Sequence, residues 1–218
     1  MRNILLINLS PRTQGTSSLL LQKCADYLTA RGHHTELLHL YPSLKDKVQL
    51  MQAVNAADTL ILGGPCYVNT YPAETLTLLE ELSAHKAVLH GQSLYGIIQG
   101  GMPYAHTHES GLALLEIFGL KCNIKYRGGF VMGLGAMLNG QPLEKLLNGK
   151  TVIRQFHIFA EHISRDENTP KEDYLKAQFH VPVIIYRIMA AGMNRWMKKD
   201  LKKRGIDINQ KSPYLLED

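Results

Sequence analysis

The sequence predicts an α/β fold: a doubly wound, five-stranded parallel sheet in the order 2-1-3-4-5, followed by a C-terminal helical extension. Three observations carry that expectation. Short, almost wholly apolar runs recur along the chain, as strands covered on both faces require. Stretches with apolar residues at helical spacing separate them. The richest cluster of anion-binding residue types falls between the first strand and the first helix. That position sets the point where the strand order reverses beside strand one.

The elements follow in order. Asn3–Leu9 is the first strand, and Ser17–Arg31 a helix with Leu20, Leu21, Cys24 and Leu28 on one face and a stop at Gly32. Thr35–Leu40 reads as the second strand and Leu44–Ala57 as a helix bearing Val48, Met51, Val54 and Asn55 on adjacent turns. Asp58–Gly64 holds the buried run Thr59-Leu60-Ile61-Leu62, halted by Gly63-Gly64-Pro65. Pro72–Ala84 is the next helix, with Pro72 suited to its first turn. Ser93–Gln99 is the fourth strand, stopped by Gly100-Gly101, and Glu109–Gly119 the helix after it. Cys122–Met132 is the fifth strand. Pro142–Ile163 reads as one helix with an irregularity near Asn148-Gly149. Five βα units in succession imply a parallel sheet with helices on both faces.

Asp166–Pro170 reads as a boundary, charged and ending in Asn168-Thr169-Pro170. It divides the chain into a domain over 1–165 and an extension over 166–218. The extension holds a short helix, Lys171–Phe179, and a more apolar one, Val181–Lys203, packed on the domain or on a partner subunit.

Composition narrows the function classes. With 45% hydrophobic and 20% charged residues, the 218-residue chain has the make-up of a globular protein rather than a disordered one. The net charge of +5 is local: seven basic residues between Arg187 and Arg204 face Asp200 alone, so the rest of the chain sums to −1. A nucleic-acid binder spreads its basic excess over a whole face, so no nucleic-acid partner is expected. Cys24, Cys66 and Cys122 are odd in number and lack C-x-x-C spacing, which disfavours a disulfide framework or a cysteine-ligated cluster. Free thiols and the lack of a signal-peptide core or a long uncharged apolar run lead to a cytoplasmic expectation.

Two loops carry the chemistry. The first, Leu9-Ser10-Pro11-Arg12-Thr13-Gln14-Gly15-Thr16-Ser17-Ser18, gathers hydroxyls, a guanidinium and a glycine where a helix N-terminus presents unpaired N–H groups. Ser10, Thr16 and Ser17 bring hydroxyl protons, Arg12 a planar cation, and Gly15 room for close backbone approach. Helix capping alone needs one such residue. Neither G-x-x-x-x-G-K-[ST] nor G-x-G-x-x-G is present, which argues against an NTPase loop and a Rossmann dinucleotide site. The second loop, Gly63 to Ala73, offers Tyr67, small residues and backbone amides to a flat ring, although Gly and Pro also suit a plain turn. His106 and His108 follow the Gly100-Gly101 turn; as capping or surface residues they need no ligand, and no third metal ligand accompanies them.

Together the two loops resemble the NADPH-dependent FMN reductase family of the flavodoxin-like fold. Ser10, Arg12, Gly15 and Ser17 match its S-x-R-x-x-[SG]-x-[ST] pattern, and Pro65, Tyr67, Pro72 and Ala73 its P-x-Y-x-x-x-x-P-A pattern. The likeness covers about the first 165 residues. Leu9 departs from the glycine common before the first serine, and the cysteine cluster of the related iron–sulfur flavoproteins is missing. The resemblance implies that Ser10, Arg12, Thr16 and Ser17, with Gly15 and Ser18 beside them, hold the FMN phosphate. It implies that Pro65, Cys66, Tyr67, Val68 and Asn69 line the isoalloxazine, with backbone N–H groups near its N5 edge, and that Gln99, Gly100 and Gly101 form the third flavin loop.

The expected function is that of an FMN-dependent oxidoreductase, with NAD(P)H as electron donor and a quinone, flavin or other small molecule as acceptor, in a homodimer or higher oligomer. No side-chain catalyst is singled out. A flavodoxin-like electron carrier without turnover is the main alternative, and its acidic composition and threonine-rich loop are not matched here. A membrane-surface or scaffold protein acting through residues 181–204 is another. That last helix also suits packing on its own domain or a partner subunit, or covering the flavin entrance.

Overall fold

The computed structural model describes residues 1–179 and 182–207. The elements in order are β1 (Asn3–Asn8), α1 (Thr16–Ala30), β2 (His34–His39), α2 (Leu40–Ser43), α3 (Lys47–Ala56) and β3 (Thr59–Pro65). They continue with α4 (Ala73–Ala84), β4 (Ser93–Gln99), α5 (Glu109–Cys122), β5 (Lys125–Met132), α6 (Gly135–Leu138), α7 (Gly149–Arg165), α8 (Lys171–Lys176) and α9 (Val183–Lys203). All four strand pairings are parallel and the sheet order is 2-1-3-4-5, as the sequence predicts.

Right-handed crossovers fix the layers. The chain moves outward from β1 to β2 and then back across β1 to β3, β4 and β5. That reversal sends α1 to one face and α4 and α5 to the other. Accordingly α1 packs with α7, and α4 with α5. The middle strands are sealed on both sides: every residue of β3 and β4 is buried, and Ile4 to Ile7 of β1 are at most 2% exposed. Each such aliphatic side chain contributes roughly 1.5–3 kcal/mol by leaving water. At the β5 end the core is aromatic: Phe130 meets Phe156 edge-on at 5.1 Å and Phe159 at 5.7 Å.

Several boundaries differ from the sequence expectation, each for a local reason. The helix expected over Leu44–Ala57 starts at Lys47, because Asp46 accepts the Gln49 N–H (3.0 Å) and caps it there, after the separate turn of α2. Helix α5 runs on to Cys122 and ends at Asn123, whose φ of 55° is left-handed, so β5 begins only at Lys125. The expected Pro142–Ile163 helix is broken where the sequence showed an irregularity: a single turn at Leu143–Lys145 precedes α7. Helix α6 lies in a stretch the periodicity left unassigned.

The boundary expected at 166–170 falls inside the first compact unit, Met1–Phe179. Asp166 is gripped by Arg2 (3.1 Å) and Arg127 (3.3 Å), and the Thr169 N–H donates to the Arg127 carbonyl (2.7 Å). Helix α8 is fastened to the same body. Asn148 Nδ2 donates to the Ala177 carbonyl (2.7 Å), Gln178 Nε2 to the Val131 carbonyl (2.9 Å), and Lys171 pairs with Glu109 (2.9 Å). The second unit is described by α9 and its flanks; the expected start of that helix at Val181 and the chain beyond 207 lie outside the described residues.

Candidate functional site

A cleft of about 620 Å³, its open mouth included, lies at the carboxyl ends of β1, β3 and β4, where the strand order reverses. Its lining brings together Ser10, Arg12, Gly15, Thr16 and Ser17 from the first loop, Pro65, Cys66 and Tyr67 from the second, and Gln99, Gly100 and Gly101 from the third. Of the residues expected there, Ser18, Val68 and Asn69 do not line it. Gln14, Ala136 and Asn139 do, and were not among the candidates.

The first loop is braced from below by Asn8, fully buried at the end of β1. Its Oδ1 accepts the Ser10 N–H (3.0 Å), its Nδ2 donates to the Arg12 carbonyl (3.4 Å), and the same nitrogen meets His39 Nδ1 (3.0 Å). The signal for this residue was one polar side chain in an apolar strand, next to the loop. Ser10 Oγ accepts the Arg12 N–H (3.1 Å), which leaves its own proton to donate. The first intrahelical bond of α1 runs from the Leu19 N–H to the Gly15 carbonyl, so the N–H groups of Thr16, Ser17 and Ser18 have no intrahelical acceptor. No side chain caps them and no acid sits in that turn. Gly15 reaches this geometry at φ 150°. Arg12 is exposed and forms no ion pair among the described residues.

Thr16 has another task. Its hydroxyl donates to the Gly135 carbonyl (2.8 Å) and accepts the Gly140 N–H (3.1 Å), so its proton is not available to a ligand as expected. The bond latches the segment after β5 onto the first loop. That segment carries Leu134 and Asn139 at φ 61° and 47°, and its Ala136 N–H reaches the Gly100 carbonyl (3.3 Å). Gly140 approaches Gly15 so closely that a Cβ on it would sit 3.1 Å from the Gly15 Cα.

The second loop is made differently. The Cys66 N–H donates to the Gln99 carbonyl (2.7 Å), and Tyr67 and Thr70 exchange both backbone hydrogen bonds around Val68 and Asn69. Those two residues have φ of 50° and 68°, the double left-handed pattern of a type I′ turn. Asn tolerates it; a β-branched valine does so at a cost. The expected supply of free amides from this loop is therefore smaller than the sequence implied. The Cys66 and Tyr67 N–H groups are used internally and Pro65 has none. Cys66 Sγ contacts the Thr107 carbonyl (3.6 Å), and burial, only partly countered by the Asn69 backbone, pushes its thiol pKa up.

Behind the third loop, His108 is buried with Nε2 on the Met102 carbonyl (3.1 Å), and its ring fills the space that a side chain at Gly100 would need. His106 is exposed and stacks on Tyr104 at 5.7 Å. Neither histidine lines the cleft. Gln99 Nε2 donates to Ser17 Oγ (3.2 Å), while its Oε1 is buried with no hydrogen-bond partner.

The cleft thus combines unpaired N–H groups, hydroxyl protons on Ser10 and Ser17 and a guanidinium at one end, with an aromatic and apolar wall at the other. No carboxylate lines it. An aromatic ring compound carrying a phosphate and hydroxyl groups fits this distribution, and FMN is such a compound.

Comparison with known proteins agrees with the geometry. The family model described as NADPH-dependent FMN reductase matches residues 2–133. No curated protein matches the chain. Among solved structures, the apo form of an NADH:FMN oxidoreductase superposes with a TM-score of 0.62 at 19% identity, covering 80% of this chain and 94% of that one. A flavone reductase gives 0.57 at 12%, with 83% and 72% covered. A short-chain flavodoxin associated with a bacterial microcompartment gives 0.56 at 17%, with 76% and 99% covered. At these identities the likeness establishes the flavodoxin-like fold.

Proposed function

The chain belongs to the NADPH-dependent FMN reductase family, and from that premise we propose that its cleft holds FMN and that it passes hydride from NAD(P)H to a small acceptor such as a quinone or a flavin. The observation that carries this reading is the pairing of the α1 N-terminus with Ser10, Arg12 and Ser17 opposite the Pro65–Tyr67 wall in one cleft without acidic residues. FMN held there would supply the redox chemistry, hydride transfer between a nicotinamide and the acceptor.

The chain's own residues do the rest. The Thr16, Ser17 and Ser18 N–H groups and the helix dipole meet the phosphate dianion, and Arg12 adds a charge-assisted bond. Ser10 and Ser17 donate hydroxyl protons to phosphate oxygens. Gln99, whose Nε2 donates to Ser17 Oγ, would steady that hydroxyl beside the phosphate. Tyr67, Pro65 and the Gly100-Gly101 backbone border the ring. The Gly101 N–H, uncommitted among the described residues, is the backbone donor left to this side. No carboxylate or histidine lines the cleft; Cys66, its thiol held protonated, keeps that wall neutral.

The test is direct. Freshly purified protein is yellow, releases FMN on denaturation, and oxidises NADPH or NADH in the presence of a quinone. Native protein that fails to quench FMN fluorescence overturns the assignment. FMN binding without any nicotinamide oxidation moves the chain to the electron-carrier class.

A further inference from the structure

Helix α9 carries an apolar stripe beside a basic end. None of its residues is buried. Ile185, Tyr186, Met189, Met193, Trp196 and Met197 succeed one another at spacings of one, three and four residues and so share one face. Each keeps 40–66% of its surface exposed. Arg187, Asn194, Arg195 and Lys198 fall on the opposite face, which in the first turns also carries the exposed Ile184 and Ile188, and Lys199, Lys202, Lys203 and Arg204 extend the basic end. Asp200, already paired with Arg204 (2.8 Å), is the sole acid among them.

Charge selects the occupant. A second copy of α9 would bring a basic excess of five against another five, with like charges crowded at the edges of the contact. An anionic lipid interface offers both halves of what the helix needs: an apolar boundary for the stripe and phosphates for the bases. Tyr186 and Trp196, apolar rings with one polar atom each, suit that boundary. Among the described residues no helix is long and apolar enough to cross a membrane, so α9 would lie on the bilayer rather than span it. We propose that α9 is a reversible anchor that rests in the interface of an anionic membrane with its Ile185–Met197 stripe facing the acyl chains.

Trp196 is the only tryptophan in the chain and reports on this contact directly. Full-length protein is titrated with vesicles of mixed phosphatidylglycerol and phosphatidylcholine, following tryptophan emission and co-sedimentation. The emission shifts to the blue and the protein pellets. Pure phosphatidylcholine does neither to a comparable extent, and about 1 M salt, where the Debye length is roughly 3 Å, releases the protein. Each basic residue removed near the surface weakens partitioning roughly fivefold, so the Lys198→Gln/Lys199→Gln double variant loses about 25-fold. Met189→Ser/Met193→Ser abolishes the shift. Bound FMN in the variants verifies that residues 1–179 are folded, while the vesicle readout itself does not depend on the cofactor. The proposal is overturned by absence of pelleting with anionic vesicles, or by variants that partition like the parent. It is equally overturned by a shift that follows protein concentration alone, or that a soluble acidic protein elicits and vesicles do not.

Discussion

The two walls of the cleft are built on opposite principles. The phosphate wall is fixed by side-chain hydrogen bonds, with Asn8 beneath the loop and Thr16 clasping the segment above it. The ring wall is fixed by backbone conformation, two left-handed residues at Val68 and Asn69 closed by the Tyr67–Thr70 pair. A charge is satisfied only by donors held at set positions, so its wall spends buried polar groups on rigidity. A flat ring needs a surface, and a tight turn supplies one with few interactions behind it.

Removing the brace is the severest test of this contrast. Asn8→Ala deprives the loop of three hydrogen-bonding contacts at a fully buried site. Leaving such partners unsatisfied costs about 1–3 kcal/mol. The urea midpoint is expected to fall, and FMN affinity to drop by up to roughly 100-fold, since 1.4 kcal/mol is tenfold. An unchanged midpoint with normal FMN quenching would show that the loop holds itself.

Arg12→Ala comes next. A charge-assisted hydrogen bond is worth about 1.5–3 kcal/mol, so FMN should bind roughly 10- to 100-fold more weakly. Riboflavin, which lacks the phosphate, should bind as before, and so should stability be kept, because Arg12 is exposed and unpaired among the described residues. Equal losses for both ligands in a fluorescence titration would place Arg12 at the ring instead.

The ring wall responds in the other direction. Val68→Gly removes a β-branched residue from the left-handed region and is expected to raise stability by about 1 kcal/mol, with FMN and riboflavin affinities shifted alike. Thermal unfolding that shows destabilisation would mean the valine is held by contacts rather than strained. The smallest effect concerns Cys66. With its pKa raised by burial, the thiolate forms only at higher pH than in a free thiol. Alkylation at pH 8 should therefore lag a free-thiol standard, narrow the gap as pH rises, and slow further when FMN is bound. Buried Cys24 and Cys122 serve as internal controls.

The same contrast explains what was legible in the chain. The sheet order and the first loop could be read because their signals are contiguous: apolar runs for strands, then hydroxyls, Arg12 and Gly15 within a few positions. The ring wall was read through Pro65 and Tyr67, but its tip was placed in the lining, since no local pattern distinguishes a residue facing a cleft from one turned away on a left-handed bend. The Thr16 clasp was invisible because its partners are backbone groups of Gly135 and Gly140, more than a hundred residues on. Helix α6 escaped for a related reason: four residues carry no periodicity, and its ends are set by Leu134 and Asn139 in conformations those residue types rarely announce. The boundary at 166–170 looked polar enough for a linker, yet its charge is there to bind Arg2 and Arg127.

The clasp also bears on how much of the chain the receptacle needs. The pattern shared with the family stops at residue 133, two positions before the carbonyl that Thr16 grips. The clasp therefore ties the two signature loops to chain that follows the matched stretch. A chain cut after residue 133 would keep both loops and lose the partners of Thr16, so the receptacle would stand open on the side of Gly15.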